Sequence, residues 1–327
     1  MKLPERYKQV QPQQGGGMSD AVICKDEPLD RLVVIKSLKA GTDQRRLLDE
    51  LAALQAIRSK HVVQIYDLIR DNNGQVMGIV EEYLSGVDLT QVPPPNNFSE
   101  FIRVAYPVAK GIADIHAHEI IHRDIKRQNM KFDAEACLKV FDFGLARTDS
   151  VDANTVGAIG TPGYMAPELF EATAGGKVHF TNAVDTYAFA ATLIALVRGK
   201  LPSQMRSIPP PKLPSTTADF RSLSWQLPGE ISDALNGCLS TNPAQRPSMS
   251  EVAHLFELYM LKDQHRALLV SNGKIHVLDK DNSSVSLNAT GRGSLNIRYD
   301  GLRFIVKEVQ GAVAVNNMPI QDDTVLP

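Results

Sequence analysis

The sequence predicts an α+β fold that closes with a small all-β domain, and three observations carry that expectation. Up to about residue 92 the apolar residues form short β-branched runs with one helical interruption. From there to about residue 262 they recur at helical spacing. Beyond residue 264 they alternate again, with Asn-Gly and Asp-Gly between the runs. The expected domains are therefore 1–263 and 264–327.

The first run, at 32–38, contains Leu32, Val33, Val34 and Ile35 and reads as a strand. A helix follows over 45–58, because Leu47, Leu51 and Leu54 make an apolar stripe flanked by Leu48 and Ile57. Asn72-Asn73-Gly74 is a hairpin signal before the strand at 76–80, and Pro93-Pro94-Pro95-Asn96-Asn97 is a linker-like break. Phe101, Ala105, Val108, Ile112 and Ile115 share the face of the next helix, which Pro107 should kink. Another helix over 182–198 is closed by Gly199. Residues 208–215 are proline-rich surface chain, and a helix from 248 to about 262 ends this part. In the tail, Leu295, Ile297 and Tyr299 alternate with Asn296 and Arg298, so one sheet face is buried and the other wet.

Composition narrows the classes of function. With 43 % hydrophobic and 22 % charged residues, the 327-residue chain is neither disordered nor low-complexity. Thirty-five basic against 37 acidic side chains leave a net charge of -2, without the basic excess of a nucleic-acid partner. Cys24, Cys137 and Cys238 are an odd, scattered set that suits reduced thiols. The longest near-apolar run, 188–197, is half a membrane span, and the N-terminus lacks the apolar core of a signal peptide. These features predict a cytoplasmic protein with no membrane or nucleic-acid partner.

Two charges stand where apolar residues belong. Glu50 falls on the helix stripe between Leu54 and Ile57, and Lys36 shares a strand face with Leu32, Val34 and Leu38. Buried charges are costly unless paired, so the two either pair with each other across a helix–sheet contact or snorkel to solvent.

The segment Ile121-His122-Arg123-Asp124-Ile125-Lys126-Arg127-Gln128-Asn129, followed by Val140-Phe141-Asp142-Phe143-Gly144, resembles the catalytic loop and metal motif of protein kinases. Further matches run in order: Val33-Val34-Ile35-Lys36, Glu50, Glu82-Tyr83, Gly160-Thr161-Pro162-Gly163-Tyr164-Met165-Ala166-Pro167-Glu168, Asp185 and Arg246-Pro247-Ser248. The resemblance, to Hanks-type serine/threonine kinases of bacterial kind, spans about residues 7–262. It implies a bilobal fold, a β-rich lobe before a helical one, and phosphorylation of protein serine and threonine hydroxyls with ATP and Mg2+ (or Mn2+). It assigns Lys36 to the α- and β-phosphates, Glu50 to orienting Lys36, Asp124 to the substrate hydroxyl, Lys126 to the γ-phosphate, and Asn129 and Asp142 to the metal. His122, Glu168, Asp185 and Arg246 become scaffold.

For the nucleotide, the resemblance gives Gly15, Gly16, Gly17, Ala21, Val34 and Asp88, with the hinge at Glu82 and Leu84. The glycine loop departs from the family pattern, with Gln14 and Ser19 at its first and third glycine positions. Ala21 and Val34 exchange the usual volumes, a swap that conserves the space over one face of adenine if both side chains face the base. Glu81 occupies the position behind adenine that is ordinarily apolar. It is expected to point into a wet back pocket; the other reading has it reach Lys36 and compete with Glu50.

Lys126 and Thr161 resemble serine/threonine rather than tyrosine kinases. Arg123 implies control by phosphorylation of the activation segment, where Thr148, Ser150 and Thr155 are the candidate acceptors and Thr161 has a structural part. Gly291-Arg292, Ser294 and residues 313–319 resemble the end of a forkhead-associated domain, without that family's Ser-x-x-His. The tail is expected to be a related or truncated β module for docking or dimerisation. Expected partners are protein substrates, with a phosphoprotein or a cognate phosphatase as further classes. The rival reading is a pseudokinase scaffold or phosphopeptide-binding regulator.

Overall fold

The computed structural model describes residues 3–10, 14–15, 20–38, 44–143, 147–148, 154–156, 160–170, 177–207, 218–271, 273–289, 293–315 and 317–326. Its contacts divide the chain into two units, 1–253 and 254–327.

The N-terminal strands are β1 (Tyr7–Gln9), β2 (Gln14–Gly15), β3 (Asp20–Asp26), β4 (Arg31–Ser37), β5 (Ile65–Arg70) and β6 (Val76–Glu82). They form one sheet in the order β1-β3-β4-β6-β5, with β2 also on β3. Strand alternation decides what each face does. Val33 and Ile35 are fully buried with Cys24 and Val80 in the core on one face, so Val34 and Lys36 leave by the other. Helix α1 (Gln44–Ala56) sets Leu51 against Val76, with Ile65 and Ile79 packed around them. Because Lys36 pairs with Ile79, the face that α1 covers is also the face that carries the lysine. Asp71 closes the β5–β6 turn by accepting from the amides of Asn73 and Gln75, and Gly74 takes a left-handed φ of 80°.

Helix α2 (Phe98–His116) starts at Asn97, whose side chain accepts from the Glu100 amide at 2.9 Å. It runs unbroken through Pro107: the buried stripe from Phe101 to Ile115 outweighs the one hydrogen bond that the proline removes. Short strands follow: β7 (Ile120–Ile121), β8 (Met130–Phe132), β9 (Leu138–Val140), β10 (Arg147–Thr148), β11 (Asn154–Val156) and β12 (Lys177–His179). They pair antiparallel as β7–β10, β8–β9 and β11–β12. Helix α3 (Asn182–Val197) is buried all round, as its apolar composition requires, and Gly199 follows it at φ 74°. Helices α4 (Gly229–Cys238) and α5 (Met249–Met260) complete the helical part. Ser248 and Glu251 cap α5 reciprocally, each side chain bonding the other's amide. The proline-rich stretch at 208–215 lies outside the described residues.

In the second unit, β13 (Ala267–Ser271) and β14 (Lys274–Leu278) form one hairpin. β15 (Ser284–Ala289), β16 (Gly293–Tyr299) and β17 (Phe304–Gly311) form a three-stranded sheet, and β18 (Ala314–Val315) pairs with β19 (Met318–Pro319). Leu278, Val285, Ile297 and Tyr299 make its core. Both predicted hairpins form, with Gly273 and Gly301 at positive φ.

Candidate functional site

The β8–β9 hairpin assembles the centre of the site. Met130 pairs with Val140 at its open end, so Asn129 enters the hairpin beside the point where Phe141 and Asp142 leave it. The Phe141 amide donates to the Asn129 carbonyl at 3.0 Å and fastens the two segments together. Asp142 sits at a left-handed φ of 69°, a conformation uncommon outside glycine but more accessible to Asp and Asn than to other residues.

Asp124 lies in the loop just before Asn129. Its Oδ2 accepts from Lys126 Nζ at 2.7 Å and from Asn129 Nδ2 at 3.0 Å, and its Oδ1 accepts from the Thr161 hydroxyl at 2.7 Å. Thr161 in turn accepts from Lys126 at 2.9 Å. Burial opposes the charged carboxylate, but the Lys126 and Thr161 hydrogen bonds outweigh it and hold Asp124 below the usual carboxylate range. Asn129 Nδ2 also donates to the Asp124 carbonyl at 2.8 Å. A cation at Asn129 would therefore have to be taken by Oδ1.

Asp185, in the first turn of α3, braces this loop from below. It accepts from the amides of His122 at 2.7 Å and Arg123 at 2.9 Å, and meets His116 Nε2 at 3.0 Å. Burial alone would raise its pKa, yet the bond with His116 and the other contacts bring it below the ordinary value. His122 is fully buried, with Nε2 facing the Phe141 carbonyl at 3.1 Å and its ring 4.9 Å from that of Phe143. That position gives it no access to a substrate. Arg123 is buried too, its guanidinium 4.2 Å from the Phe180 ring centroid. Glu168 and Arg246 form a bidentate pair at 2.6 and 2.7 Å, with the arginine side chain fully buried.

Lys36 reaches the same cleft from β4. Its Nζ lies 3.3 Å from Asp142 Oδ1 and 3.0 Å from Glu81 Oε2. Burial disfavours the ammonium, but Glu81 and Asp142 together raise its pKa. The expectation that Glu81 faces a wet back pocket is thus corrected: its side chain is 7 % exposed and pairs with the lysine. The signal was present, since a carboxylate opposite Val34 on an interior strand needs a donor, and the donor stands two residues along. The expected Lys36–Glu50 pair lies outside the described residues, because only the backbone of Glu50, within α1, is described.

Among the residues expected to meet a nucleotide, Ala21 pairs with Lys36, and Ile23 pairs with Val34. Ala21, Val34 and Lys36 therefore share one sheet face, as the volume exchange between Ala21 and Val34 requires. Gly15 is held in β2 opposite Asp20, while Gly16 and Gly17 lie outside the described residues. In the segment expected to be the hinge, the Glu82 amide donates to the Gln64 carbonyl at 2.9 Å, and the Glu82 side chain is tied to Lys139 at 2.7 Å. Leu84 is buried. Asp88 accepts from the Thr90 amide at 2.7 Å and from its hydroxyl. Thr148 and Thr155 lie in β10 and β11 with only their backbones described, and Ser150 lies outside the described residues.

Arg127 is a residue that the sequence reading missed. Buried, and in no ion pair among the described residues, it donates to the carbonyls of Leu89, Thr90, Val92, Ala195 and Gly199 at 2.6 to 3.3 Å. It joins the chain after the hinge to the C-terminal end of α3, where a cation is favoured. Nothing local distinguishes it from a solvated arginine.

A protein kinase domain family model matches residues 10–256. Serine/threonine-protein kinase PrkC of Bacillus subtilis is 30 % identical over 62 % of this chain and 32 % of its own length. A probable leucine-rich repeat receptor-like serine/threonine-protein kinase of Arabidopsis thaliana is 28 % identical over 78 % of this chain and 27 % of its own. The mitogen-activated protein kinase kinase kinase YODA of the same plant is 26 % identical over 72 % and 25 %. The chain thus spans about a quarter to a third of the length of these relatives. Among the described residues, no helix is long and apolar enough to cross a membrane.

Proposed function

Because this chain belongs to the protein kinase family, we propose that it transfers a phosphoryl group from ATP to serine and threonine hydroxyls of protein substrates. The observation that carries the proposal is the convergence of Asp124, Lys126, Thr161 and Asn129 in one hydrogen-bonded group, with Asp142 fastened beside Asn129.

Phosphoryl transfer needs positioning and charge neutralisation more than covalent help. Asp142 and Asn129 offer a carboxylate and an amide oxygen, the donor types that Mg2+ or Mn2+ takes alongside substrate phosphates. A divalent cation there would neutralise charge on the phosphate oxygens. Lys36, which Glu50 would orient, binds the α- and β-phosphates. Lys126 faces the γ-phosphate. Asp124 is held below the usual carboxylate range, so it is ionised at neutral pH and too weak a base to deprotonate an alcohol ahead of transfer. It orients the substrate hydroxyl and takes its proton late. Gly15, Gly16, Gly17, Ala21 and Val34 cover the nucleotide, Glu82 and Leu84 meet the adenine edge, and Asp88 completes the nucleotide-binding set. The kinase domain occupies 1–263, and the all-β part at 264–327 is an accessory docking or dimerisation module.

The test is incorporation of label from radiolabelled ATP into a generic protein substrate, with Asp124→Ala beside the wild type. Phosphoserine or phosphothreonine formed by the wild type alone is expected. A wild-type chain that binds ATP and transfers nothing overturns the proposal in favour of a scaffold. Mass spectrometry after incubation with ATP should find phosphate on Thr148, Ser150 or Thr155; none there rules out self-activation through this segment.

A further inference from the structure

We propose that Glu81 is a positioning residue for Lys36, a carboxylate built into the sheet that holds the ammonium in the cleft beside Asp142. The inference rests on the reading of the site given above, and three observations carry it. The Glu81 side chain is 7 % exposed and its Oε2 lies 3.0 Å from Lys36 Nζ. The two residues stand on neighbouring strands, where Glu81 pairs with Val34 and Lys36 with Ile79, so both side chains leave the same face. Lys36 also reaches Asp142 Oδ1, at 3.3 Å, in the same conformation.

The third observation separates positioning from withdrawal. A carboxylate that drew the lysine out of the cleft would break its contact with Asp142, whose side chain is 43 % exposed at the cleft. Here both contacts stand together, so Glu81 fixes the ammonium where the phosphates would meet it. The strand neighbours on its own face, Val34 and Ile79, offer no hydrogen bond, and a carboxylate buried without a cation would be strongly disfavoured. Lys36 is what makes a glutamate tolerable at this position. An anchor in the same sheet moves with the lysine as one piece, whereas an anchor on α1 follows the helix. Glu81 therefore orients Lys36 from within the sheet, beside whatever Glu50 supplies from α1.

Glu81→Gln keeps the shape and removes the charge; Glu81→Asp keeps the charge on a shorter arm. Both are compared with the full wild-type chain by steady-state kinetics and by calorimetric titration with Mg-ATP. Glu81→Gln should raise KM for ATP about tenfold and weaken ATP binding in parallel, while KM for the protein substrate changes less than about twofold. Glu81→Asp should recover part of the loss, which a merely structural role would not predict. Should circular dichroism show that Glu81→Gln does not fold, Glu81→Met takes its place, since it leaves no polar group buried. Unchanged or tighter ATP binding by a folded charge-removing variant overturns the inference and leaves the function standing. A wild-type chain that does not bind Mg-ATP overturns both.

Discussion

Asp124 accepts hydrogen bonds from three side chains at once, and replacing it tests whether that arrangement serves chemistry or packing. Asp124→Asn should lower kcat by about 10²- to 10⁴-fold with little change in melting temperature. Because its pKa lies below the ordinary value, no acid limb from Asp124 should appear in the kcat profile above about pH 4. The buried histidines give stability its own pH dependence. Burial holds His122 and His61 below the usual 6.5, although Asp185 pulls upward on His122 and the Leu138 carbonyl does so on His61. Between the folded values and 6.5 the unfolded chain binds more protons, so stability is complete above about pH 6.5 and is lost as the pH falls below it. Each proton contributes a slope of up to about 1.4 kcal/mol per pH unit. His122→Gln should flatten that slope in urea titrations at pH 5 to 7. A slope unchanged in the variant would show that His122 does not contribute. Glu168→Ala would leave the buried Arg246 guanidinium without its counter-charge, at a cost of about 3 kcal/mol by chemical denaturation.

At the scale of elements, close packing limits what propensity can do. Gly111 lies in the middle of α2, where alanine is intrinsically better by about 1 kcal/mol. A Cβ at this position would stand 2.6 Å from the His61 carbonyl oxygen and 3.2 Å from Val140. A backbone atom cannot step aside, so Gly111→Ala should lower the melting temperature; a rise would mean that α2 and the 61–63 segment part easily. Arg127→Met makes a second test. It removes the donor that the five carbonyls around Arg127 share, and an unsatisfied buried polar group costs about 1 to 3 kcal/mol. A loss of at least about 2 kcal/mol is expected, with reduced activity because Arg127 lies between Asp124 and Asn129 in the chain. These two contacts were not legible beforehand. Helical periodicity finds a buried face but does not reveal which neighbour presses on a glycine or which carbonyls an arginine collects.

Across the whole molecule, the strand-rich, helical and strand-rich succession was readable because each part has its own apolar period. The two hairpin turns of the tail were readable because Gly273 and Gly301 need positive φ. Proximity was readable where spacing within one segment carries it: Asp124, Lys126 and Asn129 are near in sequence and share hydrogen bonds, with Asp142 beside them. Partnerships across sequence distance were legible only in part: the scaffold roles of Glu168, Arg246 and Asp185 stand, while two other pairings needed the fold. Glu81 found Lys36 through strand register, and His116 found Asp185 through the packing of α2 on α3. On the second unit, Leu268, Val270 and Ile275 are 65, 72 and 70 % exposed on one face of the β13–β14 hairpin. Leu268→Lys with Ile275→Lys should therefore leave the melting temperature within about 2 °C, while any self-association seen by sedimentation should weaken.

Asn129 and Asp142 meet because they flank the open end of a two-stranded ribbon, and the turn at its closed end, with exposed residues at 134–136, takes no part in holding them. Chain length there is free to vary. A peptide tag or fluorophore grafted into that turn would report on the protein from beside the proposed site while leaving Asn129 and Asp142 in register.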